Sequence, residues 1–263
     1  MFVAVREDKR DRAALKCMFM RRSEVCRVEY IGEDRTRFAL ITLCGTRGWR
    51  ELGRICGKGA ARIVSASPVD DRYAGRFEPS AFLRAMLFNT AIRLTEAMDS
   101  PEKRLDIAVV DVFGVCAGFV GALALRCRRL RVLTCRDDRY RVLRQRLLCS
   151  YGAVLTVSDA SAAVTEKLCL MGSGELPADG AVLRVSGKPA SPSDFLLAEP
   201  EVPDWAAELI PPGLSPRDVL GAMYEINREE RCGELCAAKA EDSAGTLLDW
   251  SAAQAAILRL LET

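Results

Sequence analysis

From Leu105 to Asp159 the chain reads LDIAVVDVFGVCAGFVGALALRCRRLRVLTCRDDRYRVLRQRLLCSYGAVLTVSD, and no other stretch limits the fold as tightly. Ile107 to Val112 is apolar except for Asp111 and rich in valine, the composition of a parallel strand buried on both faces. A glycine turn follows, Gly114-Val-Cys-Ala-Gly118-Phe-Val-Gly121, and leads into a short apolar helix ending near Cys127. Arg131 to Cys135 predicts a second strand, Asp138 to Ser150 a second helix, and Ala153 to Val157 a third strand. That alternation is half of a doubly wound α/β sheet. The glycines fall where the first strand hands over to the first helix, the place where helix N-terminal amides can face a phosphate.

Three short segments add a resemblance to this layout. Cys135-Arg136-Asp137 closes the second strand, Tyr151-Gly152-Ala153 joins the second helix to the third strand, and Leu176-Pro177 precedes Gly180-Ala-Val-Leu. The first is similar to the Asn-Arg-Thr that ends the second strand in shikimate-dehydrogenase-like NADP enzymes. The second is similar to the Gly-Ala turn common in dehydrogenases, and the third to the following strand. Residues 105–188 therefore resemble a Rossmann-fold NAD(P)-binding domain.

The resemblance implies NADP or NAD as cofactor, held by Gly114, Cys116, Gly118 and Gly121 of the turn and by Arg136 and Asp137 beyond the second strand. A guanidinium at Arg136 can fork onto an adenosine 2′-phosphate. Asp137 and Asp138 could instead accept from a ribose hydroxyl, the NAD choice. An exposed Arg-Asp surface pair is the third reading of the same residues. The turn departs from the dinucleotide fingerprint, since its glycines fall as GxxxGxxG and Cys116 stands at the second glycine position. Pyrophosphate approaches the backbone closely there, so the Cys116 side chain is expected to crowd it. The alternative is a turn that only packs a helix onto a sheet.

Asp111 lies within the apolar strand, three residues before Gly114. A buried carboxylate is costly unless it is hydrogen-bonded, and capping the amides of the turn would satisfy it. In methyltransferases that resemble Asp-x-Phe-x-Gly-x-Gly, an acid at this place helps orient S-adenosylmethionine. Asp111-Val-Phe-Gly114 misses that spacing by one, so this stays open as a second function.

The sequence contains no histidine, which removes histidine-built zinc sites, Ser-His-Asp triads and Cys-His dyads. Acid-base work falls to Lys, Asp, Glu, Tyr or Cys. Lys188, Asp194 and Asn89 are candidates by position, with surface roles as the plainer reading of each, and the Lys-Asp pair that shikimate-type enzymes use has no clear counterpart at Lys58 or elsewhere. No catalytic set stands out. A net charge of +2 argues against a nucleic-acid footprint. Eleven cysteines without a CxxC pair, many inside apolar runs, suit a reducing, cytoplasmic setting where cysteine behaves as a small hydrophobe. Cys232 and Cys236, one helical turn apart, make a poor metal site as two lone thiols. The N-terminus is charged where a signal peptide needs its apolar core. Ile107 to Leu125 is long enough for a membrane span, but its three glycines and Asp111 favour strand, turn and helix.

The flanks complete an α/β organisation in three parts: a smaller α/β section over 1–100, the Rossmann-like doubly wound parallel sheet over 101–200, and a C-terminal helical segment over 201–263. In the first part, Phe2–Arg6 predicts a strand and Arg10–Met20 a helix. Val25–Ile31 and Arg37–Leu43 form a hairpin around Gly32-Glu-Asp-Arg35. Arg47–Cys56 predicts a helix, Ala61–Ala66 a strand, Pro68–Arg76 a loop and Pro79–Met98 a long helix. Beyond the third strand, Ser161–Cys169 reads as a helix, Gly172-Ser-Gly174 as a flexible link and Ala181–Ser186 as a strand. Phe195–Leu197 suits an edge strand. Pro216, behind an N-cap Ser215, opens a helix running to Arg231, and Thr246–Leu261 is a closing amphipathic helix. The function expected is NAD(P) binding of the dehydrogenase kind, in an active oxidoreductase or a catalytically degenerate relative. A non-catalytic interaction protein on the same scaffold is the third alternative.

Overall fold

The computed structural model describes residues 2–7, 26–43, 52, 63–65, 77–98 and 105–262. The helices expected at Arg10–Met20 and Arg47–Cys56 and the loop at Pro68–Arg76 lie outside the described residues, Leu52 excepted. In chain order the elements are β1 (Val3–Glu7), β2 (Cys26–Ile31), β3 (Phe38–Leu43), β4 (Ile63–Ser65), α1 (Ser80–Glu96), β5 (Asp106–Asp111), α2 (Ala117–Ala124), β6 (Arg129–Leu133), α3 (Arg141–Tyr151), β7 (Leu155–Ser158), β8 (Leu168–Ser173), β9 (Ala181–Arg184), β10 (Asp194–Pro200), α4 (Asp204–Ala207), α5 (Pro216–Glu225), β11 (Ala237–Glu241), β12 (Leu247–Asp249) and α6 (Trp250–Glu262). They gather into two compact units, Met1–Phe82 with Val202–Gly233 and Leu83–Glu201 with Glu234–Thr263.

The first unit holds a four-stranded sheet in the order β2-β3-β1-β4. The expected hairpin is present: β2 runs antiparallel to β3, and Gly32 at φ +75° makes the turn that leads into a 3-10 turn at Asp34–Thr36. β1 is parallel to both β3 and β4, and Val5, Ile41, Leu43, Leu52 and Ile63 form its core. The backbone amides of Ala81 and Phe82 donate to Glu225 at 2.6 and 2.9 Å, a carboxylate on the first amides of a helix, where the dipole favours it.

The second unit holds an eight-stranded sheet in the order β12-β11-β10-β9-β8-β5-β6-β7. β5 through β10 are all parallel, while β11 and β12 close one edge antiparallel. Numbered from β5, the parallel strands follow the order 3-2-1-4-5-6 of the doubly wound nucleotide-binding sheet. The fold is thus α/β and Rossmann-like. The order reverses between β5 and β8, so the switch point lies at the end of the strand that carries Asp111. Phe88 of α1 stacks on Phe119 of α2 with ring centroids 5.6 Å apart. α3 stops at Gly152, whose φ of +63° lets the amides of residues 152 and 153 reach the last carbonyls of the helix. No helix among the described residues is long and apolar enough to cross a membrane.

Six expectations need correcting. The helix opened by Pro216 stops at Glu225, not Arg231, and residues 201–263 are not only helical, since they supply β11 and β12 to the large sheet. Ser161–Cys169 is not a helix, and Cys169 instead lies in β8, whose first five residues are buried. Residues 159–167 must run back along β7 and across three strand spacings, a path of about 20 Å. Nine residues of helix span only about 14 Å, whereas an extended segment reaches about 30 Å. Gly172 is therefore a strand residue and not part of a flexible link. Phe195–Leu197 belongs to β10, an internal strand between β9 and β11. Finally, Leu247 and Leu248 belong to β12, and the closing helix begins only at Trp250. The missed signal is turn chemistry: Asp242 Oδ1 accepts from the amides of Ala244 and Thr246, and Gly245 has φ +79°.

Candidate functional site

The valine-rich strand β5 ends on Asp111, which is fully buried. Its carboxylate accepts four hydrogen bonds. The amides of Val115 and Cys116 donate at 3.0 and 2.8 Å, the Ser173 hydroxyl at 2.6 Å, and the Tyr140 hydroxyl closes the set. Asp111 therefore caps the glycine turn, which satisfies a carboxylate that the core could not otherwise hold. Ser173 also accepts from the Phe113 amide at 3.2 Å, so the ends of β5 and β8 are tied through one side chain. Burial, and then the bond to Asp111, pushes the Tyr140 phenol well above its ordinary range. Burial, then the nearby Asp111 charge, does the same to the Cys116 thiol. Both groups stay protonated, and neither is a nucleophile or base at neutral pH.

Cys116 points inward and is fully buried. A Cβ added at Gly172 would lie 2.5 Å from its sulfur. The expectation that this side chain crowds a pyrophosphate is thus corrected: the thiol packs beneath the turn in the room that Gly172 leaves, and nothing of Cys116 reaches the surface. Gly114 has φ +69° and makes the turn; a Cβ there would come within 2.9 Å of Arg136 Cβ and Arg139 Cγ. Those two arginines stand directly over the turn. Gly121 packs α2 against α3, where its Cβ would touch Leu143 at 3.4 Å.

Gly118 is different. It is exposed, and a Cβ there would meet nothing within 4 Å. Among the described residues, the amides of Ala117 and Gly118 have no acceptor. They are the first amides of α2, which helix geometry leaves without an internal partner. Asp111 thus occupies the amides of the turn proper, while the helix amides beside it are unpartnered, on half-buried Ala117 and exposed Gly118. Phe113 and Val115 are exposed on the same turn.

Arg136 itself is exposed and forks onto Asp138, with Nε and Nη2 donating at 3.1 and 3.2 Å. That hydrogen bond holds the Asp138 carboxyl below the usual carboxylate range. Asp137 pairs with Arg144 at 3.5 Å. The structure therefore brings Gly114 and Arg136 together, and it leaves Asp137 facing α3.

The remaining candidates disperse. Asn89 donates to the Leu235 carbonyl at 3.2 Å, a structural tie. Asp194 is buried against Arg184, and Lys188 is exposed. Lys58 lies outside the described residues. Cys232 is buried and Cys236 half-buried, and no group of His, Cys, Asp or Glu among the described residues could hold a metal ion. Sequence reasoning missed Tyr140, Ser173 and Gly172, none of which is near Asp111 in the chain.

No protein-family model matches the chain, and no curated protein matches it. Among solved structures, it is similar to L-tryptophan dehydrogenase from Nostoc punctiforme at 16% identity with a TM-score of 0.26. The match covers 64% of this chain and 53% of that one, so the chain spans about half the length of that structure. So distant a similarity does not bear on function.

Proposed function

We propose that the large sheet binds a nicotinamide dinucleotide at the switch point between β5 and β8, in the manner of dehydrogenases, with NADP favoured over NAD. The observation that carries this reading is the pairing of open amides with arginines at one turn. Ala117 and Gly118 offer unpaired helix N–H groups, and Arg136 and Arg139 stand over Gly114 beside them. Helix amides with aligned dipoles suit a diphosphate, and a guanidinium fork suits a 2′-phosphate. Asp138 holds the Arg136 fork in place until a phosphate replaces it. A bound nicotinamide would supply hydride transfer. This chain's part in the reading is to bind and orient, since Tyr140 and Cys116 are both locked as neutral donors beneath the turn.

Titrating NADPH and NADH into the wild type and Arg136→Ala tests the proposal. Arg136→Ala should weaken NADPH by about ten- to a hundredfold, the value of a charged hydrogen bond, and leave NADH nearly unchanged. Equal losses for both cofactors would make the arginine a structural residue and remove the NADP preference.

A further inference from the structure

We propose that Arg184 is the anchor of a second binding site on the large sheet, one that takes the carboxylate of a small organic acid. Arg184 ends β9, and its side chain is only 8% exposed, while that of Asp194 at the start of β10 is 3% exposed. Asp194 grips one edge of the guanidinium. Nε donates to Oδ1 at 2.8 Å, and Nη2 lies 2.7 Å from Oδ2. The Ala190 amide donates to that same Oδ2 at 2.9 Å, so the gripping carboxylate is itself fixed. The plane of the guanidinium is thereby set in advance. Its other edge, Nη1 with the second hydrogen of Nη2, is a fork matched to a carboxylate.

That second edge has a replaceable partner. Nη1 donates to Glu175 Oε1 at 3.2 Å, and the Glu175 side chain is 69% exposed. A single contact from an exposed glutamate holds weakly, and a ligand carboxylate can replace it with two parallel bonds. On Nη1 the ligand carboxylate takes the place of Glu175, whose exposed side chain turns to water, where its charge is screened. The backbone leaves room for this. Gly187 has φ +80°, and a Cβ there would lie 2.6 Å from Glu175 Oε1 and 3.0 Å from Arg184 Nη1. Exposed Lys188 follows Gly187 and adds positive charge on the same loop.

β9 lies two strands from β5, about 10 Å at the usual spacing, and Arg184 is at its carboxyl end, the edge where open α/β sheets bind ligands. The inference rests on Arg184 and needs no nucleotide on the turn. It is tested with the full chain, free of nucleotide, by following the arginine Nε–H resonances in a 15N spectrum as oxalate, pyruvate or inorganic phosphate is added. Arg184→Lys identifies the resonance and should abolish binding. Pyruvate or oxalate should shift the Arg184 signal saturably, and Glu175→Ala should tighten that binding about fivefold by removing the competitor. If Arg184→Lys fails to fold, Glu175→Ala decides alone, because it alters an exposed side chain. No saturable shift in either protein, equal affinity in both, or tighter binding of phosphate than of either carboxylate would overturn the proposal.

Discussion

Asp111→Ala is expected to cost about 4 kcal/mol of stability and to lower the melting temperature by about 10 °C or more. The reason is the number of groups that lose their acceptor. The amides of Val115 and Cys116 and the hydroxyls of Ser173 and Tyr140 all end on this one buried carboxylate. Each buried donor left unsatisfied costs about 1–3 kcal/mol, and the hydroxyls can recover part of that by turning elsewhere. Typical native stabilities are only about 5–15 kcal/mol, so the variant should be marginal. Asp111→Asn keeps the shape and one acceptor and should fall between wild type and alanine. Tyr140→Phe and Ser173→Ala each remove one donor of four and should cost about 1 kcal/mol apiece. Thermal melts of the four variants would establish this ranking. An Asp111→Ala protein that melts with the wild type would show that the carboxylate does not hold the turn.

Gly172→Ala should destabilise by about 1–3 kcal/mol, the usual cost of overpacking a filled core. The new methyl would sit 2.5 Å from Cys116 Sγ, and neither side has slack, because Cys116 and Gly172 are both buried. Cys116→Ala alone removes a packed sulfur and should cost about 1 kcal/mol through the small cavity left behind. Combining the two should recover much of the loss, since the added methyl fills the space that the thiol vacates. A double-mutant cycle by denaturant unfolding measures this coupling. Strictly additive losses would mean that the two side chains do not share the space beneath the turn.

Much of the second unit was legible in the sequence because its elements are long and strongly patterned. β5, α2, β6, α3 and β7 follow from one apolar run, one glycine turn and one helix stopped by Gly152. β8 was not legible. Leu168-Cys-Leu-Met is as apolar as a helix face, and the alanines and Glu166-Lys167 before it favour helix. What makes it a strand is the distance the chain must cover between β7 and β8, which depends on the sheet order. The site was legible in the same uneven way. Gly114 and Arg136 lie on consecutive connections of one repeating unit, so their meeting is a local consequence. Tyr140 and Ser173 lie 29 and 62 residues from Asp111, and Gly172 reaches Cys116 only because β8 pairs with β5. The inward turn of Cys116 reverses what its place in the motif suggested. Arg184 gave no signal at all, a lone arginine at the end of the apolar run Ala181–Leu183.

The central claim is that the open amides of α2 receive the phosphates of a dinucleotide, and Gly118→Glu tests it most directly. Nothing lies within 4 Å of the position a Cβ would take at Gly118. A glutamate in the first helical turn suits both helix propensity and the dipole, so the fold should be kept or slightly stabilised. Its charge would stand where a phosphate must come. Melting curves with and without NADPH read both effects at once, since a ligand bound only by the native state raises its melting temperature. NADPH should give a clear rise for the wild type and none for Gly118→Glu, whose unliganded melting temperature should be equal or higher. A wild type that responds to S-adenosylmethionine and not to NADPH, or a Gly118→Glu protein that responds to NADPH as fully as the wild type, would contradict the claim.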